Sequence, residues 1–126
     1  MKKILLFIAT ALVCAVMMTG CILMESDSEV NVHVLSISGN VVSGEKVYMY
    51  YSTSDAASLN AQANAKEVQT TDADGDVRFV ISKAEFLLEE SKPFVFQTFD
   101  KDGNVNGRTI LTVKRNSKMN TEINQY

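Results

Sequence analysis

The sequence predicts an all-β protein: a single β-sandwich of six to seven short strands, with room for one short helix. From Val30 onward, apolar residues alternate with polar ones, which is the period of two that a half-buried strand requires. Turn-forming residues separate these runs at regular spacing. Ahead of them stands a basic and then apolar segment typical of an export leader. The remaining 106 residues, 21–126, are enough for one domain.

The leader begins with Lys2 and Lys3, continues as an apolar run and ends at Met18-Thr19-Gly20-Cys21. This segment resembles the lipobox of bacterial lipoproteins, in which the cysteine is acylated and becomes the first residue of the mature chain. Leucine is commonest where this chain has Met18. The resemblance implies a signal peptide over residues 1–20, lipidation of Cys21 and a place in the bacterial cell envelope. The outer membrane is the expected site, with the periplasmic and the surface face both left open.

An uncleaved membrane helix is the alternative, because Ile4–Met24 is 21 residues of mostly apolar chain and about 20 can span a bilayer. Either reading gives an exported, tethered protein. Residues 21–29 are predicted to be the lipidated cysteine and an acidic, solvated tether. Ile22–Glu29 reaches at most about 27 Å, at roughly 3.4 Å per residue. The domain at residues 30–126 is therefore expected close to the membrane.

The strands follow one another along the domain. Alternation or β-branched runs predict them at Val30–Val34, Val47–Tyr51, Lys66–Thr71, Val77–Ile81, Phe94–Phe99, Thr109–Val113 and Met119–Ile123. Gly39 predicts a bulge, and Ser43-Gly44 a turn. Two segments lack a strand pattern. Ser54–Ala65 is predicted to be a long loop or a short helix, and Lys83–Ser91 one or two helical turns over the core, ended by Pro93.

An acidic turn occurs twice, as Asp72–Asp76 and, 28 residues later, as Asp100–Asn104. Aspartate at the start of such a turn bonds its own backbone, and the glycine at the fourth position supplies a positive φ. We interpret the repeat as one hairpin turn used twice. If the strands alternate in direction, both turns lie at the end of the domain far from the tether, with Ser54–Ala65 near the membrane.

A second resemblance rests on Ile37–Val41, Val47–Met49 and Thr71–Phe79. There a Gly-x-Val strand, a short apolar strand and a Thr-Asp-x-x-Gly turn leading to an aromatic residue follow in order. This is similar to the transthyretin-like family, and within it to the carboxypeptidase regulatory-like domains. The resemblance implies a sandwich fold and an accessory, structural or adhesive role, with no catalytic residue to carry over. Here the turn between Val41 and Val47 is shorter than usual, and the C-terminal half matches only in strand character.

The acidic turns are also candidates for a metal site. Their carboxylates fall at the spacing of the first three EF-hand ligands, at Asp72, Asp74 and Asp76 and again at Asp100 and Asp102. The sixth position, which must be glycine, holds Val77 in one turn and Val105 in the other. These valines exclude an EF-hand and leave a looser calcium site as the candidate.

Three tyrosines are candidate ligand-binding residues: Tyr48, Tyr50 and Tyr51. They are expected either to form a sugar-binding face or to be ordinary sheet residues.

The sequence contains few residues that could carry out catalysis. His33 is the only histidine, whereas catalytic zinc usually needs three protein ligands. The side chains of the adjacent Glu89 and Glu90 diverge, so they indicate no glycosidase pair. No nucleophile elbow or phosphate loop occurs, so the sequence predicts no enzyme and no cofactor.

Charge and cysteine content narrow the partners. The net charge is −3, and −5 without the two leader lysines, with no cluster of basic residues that would bind nucleic acid. Cys14 lies in the leader and Cys21 carries the lipid, so no disulfide is expected. The sequence predicts a lipid-anchored binding or structural module, with a protein or glycan partner. The alternatives are a subunit or accessory of an adhesive assembly, marked by a long unpaired edge strand, and a carbohydrate-binding or polysaccharide-processing accessory protein.

Overall fold

A computed structural model describes residues 26–52 and 55–126, so the lipobox at Met18–Cys21 lies outside the described residues. The strands are β1 (Ser28–Leu35), β2 (Lys46–Tyr51), β3 (Glu67–Thr70), β4 (Asp76–Ile81), β5 (Ser91–Phe99), β6 (Val105–Lys114) and β7 (Lys118–Asn124). A short helix, α1 (Ala56–Leu59), and 3₁₀ turns at Gln62–Asn64 and Lys83–Glu85 complete the described elements. The predicted all-β sandwich with a short helix is confirmed. Among these residues, no helix has the length and apolar content to cross a membrane.

The strands form two sheets, with the order β4-β1-β7 in one and β3-β2-β5-β6 in the other. β1 is the middle strand of the smaller sheet, antiparallel to β4 and parallel to β7. The connections β3–β4 and β6–β7 each pass from one sheet to the other. The two sheets are therefore joined along both sides.

The core lies between the inner faces of the two sheets. Val30, Val32 and Val34 of β1 are fully buried there, as the alternation predicted. Opposite them lie aromatic residues of β5, including Phe96, whose ring packs against Phe79 at a centroid separation of 5.2 Å. The remaining members are Val47, Met49, Val77, Ile81, Phe86, Phe94, Val113 and Ile123. With no disulfide among the described residues, apolar packing is the main source of stability.

The segment 55–65 lies across the outer face of the four-stranded sheet. Tyr50 points to this face, yet it is 1% exposed, and its hydroxyl donates to the carbonyl of Ala61 at 3.0 Å. The side chain of Gln97 donates to the carbonyl of Leu59. The predicted short helix is present here. The segment folds back over the sheet, however, because β2 and β5 carry apolar or aromatic residues on both faces and the outer face must also be shielded from water.

The beginning of the domain differs from the predicted boundary at Val30. β1 starts at Ser28, which is buried and donates its hydroxyl hydrogen to the carbonyl of Lys114 at 2.8 Å. Just before it, Asp27 accepts a hydrogen bond from the amide of Lys83 at 2.9 Å. Part of the stretch predicted as a solvated tether is therefore held against the sandwich.

Other strand boundaries differ in the same direction. β5 begins at Ser91 rather than Phe94, and β6 at Val105 rather than Thr109. Most of the additional residues are polar or small, so sequence pattern alone does not mark them as strand. They extend because they pair across the β5–β6 ladder, except for Asn106, which lies at the register shift between Thr98 and Phe99. Pro93 lies within β5, opposite Thr112, rather than at the end of a helix.

Both acidic turns lie at the same end of the sandwich, as predicted. His33, near the end of β1, pairs with Asp76, where β4 begins. The other turn leads into β6, where Asn106 accepts a hydrogen bond from the amide of Tyr126 at 2.8 Å, just beyond β7. Since β7 runs parallel to β1, this too is the end where β1 finishes. We call it the turn end, and the opposite end, where β1 begins, the tether end.

Candidate functional site

The acidic turns are built by the first aspartate of each. The Asp72 carboxylate accepts hydrogen bonds from the amides of Asp74 at 2.9 Å and Asp76 at 3.0 Å. Asp100 accepts from Asp102 and Asn104, both at 2.9 Å. The fourth residue of each turn is a glycine with φ near +80°. The two turns therefore share one local geometry, but the interpretation of a hairpin used twice is only half right. Asp100–Asn104 closes a hairpin between the paired strands β5 and β6, whereas Asp72–Asp76 joins β3 to β4, which lie in different sheets.

A third copy of this turn follows β1. Ser36 takes the place of the aspartate, and its hydroxyl accepts from the amide of Asn40 at 3.3 Å. The Ser36 amide donates to the Asn40 carbonyl at 2.8 Å, and Gly39 has φ +83°. The predicted bulge at Gly39 is therefore wrong, since this glycine closes a turn between β1 and the bridge residue Val41. Sequence comparison missed the copy because serine stands where the others have aspartate.

The candidate calcium residues are held apart by this construction. In each turn the first carboxylate is directed to backbone amides, whereas Asp74 and Asp102 are exposed and the Asp76 carboxylate is hydrogen-bonded to Asn31 and His33. Within residues 26–52 and 55–126, no three histidine, cysteine, aspartate or glutamate side chains come together in a group suited to a metal ion. The hydrogen bonds of Asp72 and Asp100 give the acidic turns a structural role.

The three candidate tyrosines do not share a surface. Tyr48 and Tyr50 point to the outer face, where segment 55–65 buries them, and burial raises the pKa of Tyr50. Tyr48 contacts Phe99 edge-on at 5.0 Å between ring centroids. Tyr51 points to the opposite face and lies 5.9 Å from Phe94. The structure therefore presents no platform of these three rings for a flat ligand.

Tyr51 belongs to a charged cluster that ties β2 and β3 to the 3₁₀ turn after β4. Its hydroxyl donates to Glu85 at 2.7 Å, and the Lys66 ammonium donates to the other oxygen of that carboxylate at 2.6 Å. The ammonium groups of Lys66 and Lys92 lie 4.8 and 4.7 Å from the centre of the Tyr51 ring. The bond from Lys66 lowers the pKa of Glu85, and the same bond raises that of Lys66.

The outer face of the three-stranded sheet is polar and carries His33. Its Nδ1 lies 2.8 Å from a carboxylate oxygen of Asp76, which also accepts from Asn31 at 3.2 Å. These bonds, chiefly that with His33, lower the pKa of Asp76. On the other side His33 faces Glu122 of β7. An open concavity of about 460 Å³ lies here, lined by these side chains with Asn120 and Thr121. It can form hydrogen bonds, but it offers no enclosed pocket for a reacting group.

The edge of β6 is a candidate surface for binding. β6 is the longest of the described strands, ten residues, and pairs with β5 on one side only. The amide of Arg115 donates to Glu90, just before β5, and alternate residues of a strand direct their main-chain groups to the same side. Odd-numbered residues of β6 therefore face β5. The N–H and C=O groups of Arg108, Ile110 and Thr112 face away from it.

Contacts at its two ends define the free part of this edge. At one end the Asn106 carbonyl accepts from Tyr126, and at the other the Lys114 carbonyl accepts from Ser28 and Ser117. Between these points no described strand pairs with β6 on the side that faces away from β5. Ile110, at the middle, is 63% exposed. We call Arg108–Thr112 the β6 edge. The sequence marked a strand here but not its place in the sheet, which depends on strand order.

No protein-family model and no curated protein sequence matches the chain. Solved structures with a similar fold include a minor pilin of Streptococcus agalactiae, GBS52, with a TM-score of 0.47 and 12% identity over 81% of this chain and 46% of that one. The shaft pilin SpaA of Lactobacillus rhamnosus GG gives 0.47 and 12%, over 79% of this chain and 48% of that one. The Bacillus anthracis TIE protein gives 0.45 and 12%, over 79% and 17%. The chain spans less than half the length of each of these proteins.

The turn geometry predicts unequal effects of neighbouring aspartates. Asp100→Ala should lower the free energy of unfolding by about 1 to 2 kcal/mol, because two backbone amides lose their acceptor. Asp102→Ala, in the same turn, should change it by less than about 0.5 kcal/mol. Urea denaturation of both variants measures the difference. Equal losses, or a wild-type midpoint raised by added calcium, would contradict a purely structural role for the turns.

The Tyr51 cluster predicts a pH dependence. The folded-state pKa of Glu85 lies below the ordinary 4.5, so its contribution to stability is present above that value and is lost as pH falls through the lower folded-state pKa. Glu85→Gln should cost about 1 kcal/mol at pH 7. The gap to wild type should close in acid. Denaturation at a series of pH values tests this, with exposed Glu89→Gln as the control that shows little change at any pH.

Proposed function

We propose that this chain is a lipid-anchored, non-catalytic module of the bacterial cell envelope, and that it binds a protein partner through the β6 edge. In this proposal Cys21 carries the anchor, and the module is a subunit or accessory of an adhesive surface assembly. The observation that supports it most directly is the free segment Arg108–Thr112 on the edge of a ten-residue strand, with the exposed Ile110 at its centre.

The physical basis is strand addition. An extended segment of a partner can pair with the outward N–H and C=O groups of Arg108, Ile110 and Thr112, which provides affinity through the main chain. Ile110 adds apolar contact. Edge strands that must stay unpaired are commonly protected by charged side chains, by proline, by β-bulges or by a short length. β6 is long and has no proline, and its charged residues, Arg108 and Lys114, lie on either side of the apolar Ile110.

The geometry of the tether is compatible with this role. The chain enters β1 at one end of the sandwich, whereas β6 runs along the side between the two ends. Attachment to a membrane through the tether would therefore leave the β6 edge open to a partner. The glycan-binding alternative has less support, because Tyr48 and Tyr50 lie beneath segment 55–65.

Photo-crosslinking in the cells that make the chain tests the proposal. A photoreactive amino acid at Ile110 should give one adduct of discrete mass in the membrane fraction. The matched control is Val80, which is 44% exposed on β4, an edge strand of the other sheet, and should give none.

A blocking variant checks that the adduct depends on main-chain pairing. Thr112→Pro removes an outward N–H while leaving the pairing groups that face β5, and edge strands tolerate proline. It should abolish the Ile110 adduct while the thermal transition remains cooperative. Equal adducts at both positions, or an adduct that survives in folded Thr112→Pro protein, would contradict binding at the β6 edge.

A further inference from the structure

The connection between β4 and β5 presents two leucines to solvent at the tether end. Leu87 is 78% exposed and Leu88 is 99% exposed, although the preceding Phe86 is fully buried in the core. Single exposed apolar residues are ordinary on protein surfaces. Two adjacent leucines on a loop anchored by a buried phenylalanine are a different case, because the loop holds them away from the core.

The backbone of this loop is arranged to project them. Leu87 has φ +48°, a left-handed conformation that residues with a side chain rarely adopt. It is held by the burial of Phe86, by the amide of Glu89 donating to the Phe86 carbonyl at 2.7 Å, and by Arg115 donating to the Leu87 carbonyl at 3.4 Å. A strained backbone that the surroundings maintain is typical of functional positions.

The leucines lie at the end where the chain would leave for the membrane. Ile81, the last residue of β4, pairs with Ser28, the first residue of β1. The loop then begins at Lys83, whose amide donates to Asp27. From Ser26 to Cys21 is five residues, a span of at most about 17 Å. A lipid on Cys21 would keep this end of the domain within that distance of the bilayer surface.

The distribution of charge favours the same orientation. The turn end carries the aspartates of both acidic turns, which an anionic phospholipid surface would repel. The tether end is mixed: Asp27, Glu89 and Glu90 are exposed there, and so are Lys83, where the same loop begins, and Lys114, the last residue of β6. The tether end is therefore the one that can approach a phospholipid surface with less electrostatic cost.

We infer that Leu87 and Leu88 insert into the interface of the bilayer to which the chain is tethered, so that the sandwich stands with its turn end outward. This inference rests on the proposed function, in which a lipid on Cys21 anchors the chain to the membrane. The partner surface is phospholipid, and burial of the two side chains among acyl chains supplies the attraction. In this orientation the β6 edge extends between the membrane-facing end and the outward end of the sandwich, along its side.

Tryptophan fluorescence tests this directly, because the chain contains no tryptophan. Leu88→Trp introduces one reporter at the loop. Ile37→Trp introduces a matched reporter at the turn end, where Ile37 is 81% exposed. Full-length protein purified from its own membranes is reconstituted into phosphatidylcholine–phosphatidylglycerol vesicles, with and without lipids brominated on the acyl chain.

The Leu88→Trp protein should show a blue-shifted emission and lose about half of it or more in brominated vesicles. The Ile37→Trp protein should lose almost none. Flotation of the same vesicles reports whether the chain is attached. If both proteins float and neither is quenched, or both are quenched alike, the leucine inference is overturned while the anchor stands. If neither protein floats, the anchor fails and the inference fails with it.

Discussion

The position of β1 between β4 and β7 determines which connections lie at each end of the molecule. Its inward valines are fully buried, so its register cannot slip by one residue without moving Val30, Val32 and Val34 from the core to solvent. Because β1 is antiparallel to β4 and parallel to β7, each connection is assigned to one end. The three similar turns and the last residue gather at the turn end. The tether end holds the beginning of the domain, the loop that carries Leu87 and Leu88, and the β6–β7 turn.

The outer faces of the two sheets differ in polarity and in how they meet solvent. The three-stranded sheet leaves its outer face polar, with His33 and Asp76 hydrogen-bonded in the open. The four-stranded sheet has apolar residues on both faces of its two middle strands, and segment 55–65 covers the outer one. That cover packs on β2 and β5, while Ile110 of β6 stays exposed. The same packing that completes the second core thus leaves the β6 edge uncovered.

The sequence predicted the strands whose two faces have different environments. In β1 buried residues alternate with half-buried ones, and in β4 mostly with exposed ones, and the pattern follows directly from burial of one face. It also predicted the acidic turns, because aspartate and glycine act there through local bonds and a local φ.

Features that depend on contacts distant in sequence could not be predicted. For Tyr48 and Tyr50 the sequence left both a sugar-binding face and an ordinary place in the sheet open, because nothing local shows that residues 55–65 return to cover them. The free edge of β6 requires the strand order, which arises from pairing between segments far apart along the chain. The third turn could not be recognised from the sequence, because it begins with Ser36 where the other two begin with aspartate. The Ser36 hydroxyl takes the role of the aspartate carboxylate.

Intact-mass spectrometry of the chain extracted from its own membranes tests the anchored account most directly. The account predicts a polypeptide that begins at Cys21 and carries the added mass of acyl chains on that residue. A chain that retains residues 1–20, or one that begins at an unmodified cysteine, would contradict it.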